Sequence, residues 1–97
     1  MIRLIFKTKN FPLLELKVDL DNKQVSTLKV HDKLAANIVL QPQQRTYDGL
    51  EARLQYYMVD KRPLPELLKH IEVHGFYVPN QHNLDVDLIE IVEIIEA

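Results

Sequence analysis

The sequence predicts a small α+β domain, a three-stranded antiparallel meander near the N-terminus covered by helices from the C-terminal half. Three observations carry this. Apolar residues alternate with polar ones through most of the first 30 positions, which is the period of half-buried strands. A well-punctuated helix pattern follows at 64–76, LPELLKHIEVHGF, where Pro65 suits a first helical position and Gly75 a stop. With 97 residues and 46% hydrophobic content, one core and one domain spanning 1–97 are expected, since two domains would each be too small to bury a core.

The first strand is read at 2–8, where Ile2, Leu4 and Phe6 share one side and Arg3 and Lys7 the other. Phe11 and Pro12 are expected to connect it to a second strand, in which Leu14, Leu16, Val18 and Leu20 alternate with Glu15, Lys17 and Asp19. Asp21, Asn22 and Lys23 supply turn chemistry, and 25–30 completes the meander. At 31–40, Leu34, Ala35, Ile38 and Val39 are spaced as on a short helix capped by Asp32, although ANIVL also fits a strand. The polar run at 41–45 is a surface connection.

At 48–60 two periods compete. Good helix formers decide for a helix with Leu50, Leu54, Tyr57 and Met58 on one face, Asp48 and Glu51 forming its capping box. The helix at 64–76 then buries Leu67, Leu68, Ile71 and His74. FYVPNQHN is a loop around Pro79. The last stretch, 84–97, places Leu84, Leu88, Ile91, Val92 and Ile95 on one helical face with acids around the other. Its many β-branched residues keep a strand open as the alternative.

Composition narrows the function. A net charge of −2 gives no global attraction for nucleic acid or anionic membrane. Cysteine is absent, which removes disulfides and thiolate chemistry and suits a reducing, cytoplasmic setting. No apolar run reaches the ~20 residues of a membrane span, and the opening MIRLIFKTKN lacks the form of a signal peptide. Charge is nevertheless uneven: no Lys or Arg follows Lys69, while six acids do, so the C-terminal part is acidic and the earlier part carries a basic excess.

Catalytic motifs are missing. Ser26 is the sole serine and stands in a predicted strand, and Gly49 and Gly75 are too few to build a phosphate loop. His70 and His74 are neighbours on one helix face, with Glu66 a turn before and His82 beyond. Ile71, however, occupies the place where a zinc-protease motif needs its glutamate, and packing at the core edge accounts for the pair. No metal or cofactor is expected. Arg53, Lys61 and Arg62, among interleaved tyrosines on two consecutive helices, resemble the edge of a helix-turn-helix, but nearby acids dilute the basic face.

By elimination the expected function is non-catalytic: an accessory, regulatory or inhibitor-like protein that binds another protein or itself. The expected interface holds Val86, Ile89 and Ile94, which fall outside the main apolar face of the C-terminal segment when it is drawn as a helix. The basic excess of the earlier chain would meet the C-terminal acids across subunits. Nucleic-acid binding through Arg53, Lys61 and Arg62 is the alternative.

Overall fold

The computed structural model describes residues 1–8, 11–74 and 88–94. It is an α+β fold: β1 (Ile2–Thr8), β2 (Phe11–Asp19), β3 (Gln24–Val30), α1 (Lys33–Val39), a 3-10 turn (Pro42–Gln44), α2 (Tyr47–Met58), α3 (Leu64–His74) and β4 (Leu88–Ile94). The expected meander is present, followed by helices. Phe11 and Pro12 belong to β2 rather than to a connection, because β2 continues its pairing with β1 out to Thr8 across from Phe11.

The C-terminal segment departs from the helical reading. Residues 88–94 form a fourth strand that pairs antiparallel with β1, giving the sheet order β3-β2-β1-β4. The β-branched side chains at Ile89, Ile91, Val92 and Ile94 lose less rotamer freedom in a strand than in a helix. This edge of β1 would otherwise be unpaired, and six of the seven β4 residues pair with it.

The core lies between one sheet face and the helices. Leu4, Phe6, Leu14, Leu16 and Val18 meet Ala36, Val39, Leu40, Leu50, Leu54, Leu64, Leu67, Leu68 and Ile71. At ~25 cal/mol per Å² of apolar area removed from water, each such side chain contributes about 1.5–3 kcal/mol. Helix α3 buries Leu64, Leu67, Leu68 and Ile71, whereas His74, expected on that face, is exposed at the last turn.

Capping also differs from expectation. Thr46, not Asp48, caps α2: its hydroxyl accepts from the Gly49 N–H at 3.1 Å, and Asp48 stands in the first turn, where its charge suits the helix dipole. Glu51 accepts the otherwise orphaned Leu64 N–H at 2.8 Å and so ties the start of α3 to α2. Asp32 caps α1 as expected, accepting from the Ala35 N–H at 3.1 Å.

The sheet carries three irregularities that matter below. Leu13 is an extra residue of β2 relative to β1, Leu28 of β3 relative to β2, and Val92 of β4 relative to β1. Such bulges change which residues share a face by shifting the two-residue period.

Candidate functional site

The face of the sheet away from the core is built from charged rows. Lys29 stands across from Glu15, Glu15 across from Ile5, and Ile5 across from Glu90. In the next row Ser26 faces Lys17, Lys17 faces Arg3, and Arg3 faces Glu93. Glu15 is the buried charge of this face, its side chain 7% exposed. Arg3 reaches Oε1 through Nε at 2.8 Å and Nη2 at 2.5 Å, and His31 Nε2 contacts Oε2. The hydrogen bond from His31 is the main cause that holds the Glu15 carboxyl below its ordinary range, and Arg3 adds to it against the opposing effect of burial. Both oxygens are occupied, so this carboxylate is a structural anchor between β1, β2 and the start of α1 and not an open acid.

The basic residues near the helices are used inside the fold. The last carbonyls of α1 have no helical partner, and three side chains from the following segment supply one. Arg45 donates from Nε to the Leu40 carbonyl at 3.1 Å and from Nη2 to Asn37 Oδ1 at 3.1 Å. Arg53 Nε and the Tyr57 hydroxyl both donate to the Val39 carbonyl, at 3.3 and 2.8 Å. The Arg53 guanidinium also lies 4.6 Å from the centre of the Tyr57 ring and 5.4 Å from that of Tyr56. Arg62 is held by Asp60 through bonds of 2.9 and 2.6 Å. Arg53 is thus engaged with α1 and two tyrosines and Arg62 with Asp60, while Lys61 is exposed between the helices and its carbonyl accepts from Gln55. This clamp could not be found from local spacing, because its partners lie 14 and 18 residues back along the chain.

His70 and His74 do meet, with ring centres 4.9 Å apart, along a shallow groove of about 280 Å³ that Arg62, Glu66, Lys69 and Val73 also line. Among the described residues no three histidine or carboxylate side chains converge as a metal site would require. His82 lies outside the described residues.

Apolar exposure concentrates at one end of the sheet. Because β2 and β3 are antiparallel, the start of β2 and the end of β3 lie together, and α1 follows β3 directly; the His31 and Asp32 N–H groups both donate to the Leu13 carbonyl. Phe11 (70% exposed), Leu28, Val30, Leu34 (79%) and Ile38 all stand there. Helix α1 buries Ala36 and Val39, with Leu40 buried just beyond its end, so Leu34 and Ile38, four apart, fall on the opposite side. The sequence pattern grouped Leu34 and Ile38 with Val39 on one face, and the structure separates them. Apart from Lys33 and Asn37 the helix is apolar, and only one side of it is enclosed.

Of the residues expected at an interface, Val86 lies outside the described residues. Ile89 and Ile94 stand in β4 at register positions across from Phe6 and Ile2. The helical wheel that set them apart does not apply to a strand. Among the described residues, β3 and β4 are the two outer strands, each with one backbone edge that pairs with no other strand. No helix among them is long and apolar enough to cross a membrane. Compared with models of known protein families, with curated proteins and with solved structures, the chain matches none.

Proposed function

We propose that this chain is a non-catalytic accessory or regulatory protein that works by protein–protein contact, with itself included among the partners. The observation that supports this reading best is the exposed apolar cluster of Phe11, Leu28, Val30, Leu34 and Ile38 at one end of the sheet. Full burial of Leu34 and Ile38 alone would contribute on the order of 1.5–3 kcal/mol each, comparable to the larger contributions of single interface residues. The cysteine-free sequence suits a reducing compartment, and the cytoplasm is the setting in which we place it. Nucleic-acid binding has less support, since Arg53 and Arg62 are engaged by Val39, the tyrosines and Asp60.

The experiment compares wild type with Leu34→Lys/Ile38→Lys as baits for proteins of the native host. Both positions face away from the core, so the variant should melt near the wild-type temperature. Partners retained by wild type and lost by the variant would support the reading. Equal retention by both would rule out this cluster as the contact surface, and capture of no partner by wild type would overturn the reading.

A further inference from the structure

We propose that the two outer strands of the sheet are made for each other, and that β4 of one copy docks antiparallel on the β3 edge of the next to extend the sheet from subunit to subunit. The proposal rests on the protein-contact reading and names its partner: a second copy of this chain.

Charge favours this pairing. The β3 side of the molecule carries Lys23, Lys29 and Lys33, and β4 carries Glu90 and Glu93. Docking β4 on β4 in the register that matches faces would set Glu90 against Glu93, whereas docking β3 on β3 in the same way sets Lys29 against Ser26 and gains no opposite-charge pair. Like charges facing each other across strands oppose pairing, while opposite charges favour it. Lysine on an edge is a common guard against unwanted pairing. Here the β4 edge is guarded against its own kind, and only the pairing of β3 with β4 gains an opposite-charge pair, Lys29 with Glu90.

Register agrees independently of charge. A bulge on an edge strand ordinarily spoils pairing with a new neighbour. These two edges carry bulges at corresponding places: Leu28 is the extra residue between Lys29 and Thr27, and Val92 is the extra residue between Glu93 and Ile91. By register, the positions across from Lys17 and Glu15 are Ser26 and Lys29 on β3, and those across from Ile5 and Arg3 are Glu90 and Glu93 on β4, three apart on each strand. An unbroken antiparallel register sets Glu90 across from Lys29 and Glu93 across from Ser26 of the next copy. The same register sets Ile89 across from Val30 and Ile94 across from Val25. Val30 is one of the exposed apolar residues of the candidate interface. The strand directions alternate correctly, since β4 runs antiparallel to β1 and β3 runs parallel to it. Such a contact joins unlike surfaces, so it closes into a ring or grows as a filament, and it does not stop at a symmetric dimer.

The test is sedimentation velocity of wild type, Ser26→Glu and Leu28→Lys over a wide concentration range, with circular dichroism melts to confirm folding. Ser26→Glu faces Lys17 within the subunit, which the fold tolerates, and faces Glu93 between subunits, which the contact does not. Wild type should grow past the dimer as concentration rises. Ser26→Glu should associate more weakly by up to about fivefold, the effect of one like-charge pair across strands. Mixed with wild type, it should shorten the assemblies, because its intact β4 still docks on a wild-type β3 while its own β3 accepts the next copy more weakly. Leu28→Lys, at a half-exposed position, should also weaken growth. A wild type that stays monomeric, or one that stops at a dimer, or folded variants that associate as well as wild type, would each overturn edge docking. None of these results touches the bait experiment, whose outcome decides the broader reading separately.

Discussion

Replacing Glu15 by Gln tests whether the buried carboxylate holds the outer face of the sheet together by its charge. The substitution keeps the shape and removes the negative charge from a side chain that is 7% exposed and gripped by Arg3 and His31. Breaking a fully buried ion pair costs about 3–5 kcal/mol. Arg3 is 36% exposed, so water takes back much of its charge, and the discounted cost is about 1–2 kcal/mol. For a chain of this size that corresponds to a fall in Tm of roughly 5–15 °C. The pH dependence supplies the decisive control. The folded-state pKa of Glu15 lies below its ordinary value of 4.5, so its stabilisation is fully present above that value and is lost as pH falls through the folded pKa. Melts followed by circular dichroism should therefore show a large gap between wild type and Glu15→Gln at neutral pH. The gap should close in acid once wild-type Glu15 is itself protonated. A gap that persists undiminished at low pH would refute the electrostatic account and assign the cost to altered packing.

Two further substitutions test the local backbone. Val59 ends α2 in the left-handed conformation, φ 50 and ψ 49, which a β-branched residue adopts only under strain, and its side chain is exposed. Val59→Gly should raise stability by about 1 kcal/mol, seen as a higher denaturant midpoint with unchanged slope; a lower midpoint would refute the strain. Gly49 sits against the 3-10 turn so closely that a Cβ would lie 2.4 Å from the Gln44 carbonyl oxygen. Gly49→Ala should therefore lower the melting temperature despite alanine's better helix propensity, by an amount corresponding to about 1–3 kcal/mol, and an unchanged melt would show that the turn yields freely.

The first three strands were legible because each keeps a two-residue alternation over most of its length, and α1 because Asp32 is a strong cap immediately before a short apolar repeat. The fourth strand was hidden by its own bulge. The extra residue Val92 moves the acids Glu90 and Glu93 from a spacing of two to a spacing of three, which matches a helical turn and so produced an amphipathic wheel. The β-branched composition was the signal that pointed correctly. At the candidate site, the exposed residues come from β2, β3 and α1, and only the antiparallel pairing of β2 with β3 sets the start of β2 beside the end of β3, where α1 begins. The clamp on α1 was equally invisible, since a carbonyl such as Val39 O has no sequence signature.

The position of β1 in the middle of the sheet has a consequence for time rather than for stability. Its pairing with β2 joins neighbours in sequence, whereas its pairing with β4 joins the first described strand to the last. A contact spanning almost the whole chain carries the largest loop-closure cost and forms slowly unless the intervening segment has already condensed. The natural order of assembly is thus meander first, helices onto the meander next, and β4 last. Until that final step, the strand that carries Leu4 and Phe6 presents a bare edge. During that interval a growing or refolding chain is most open to pairing with the wrong neighbour.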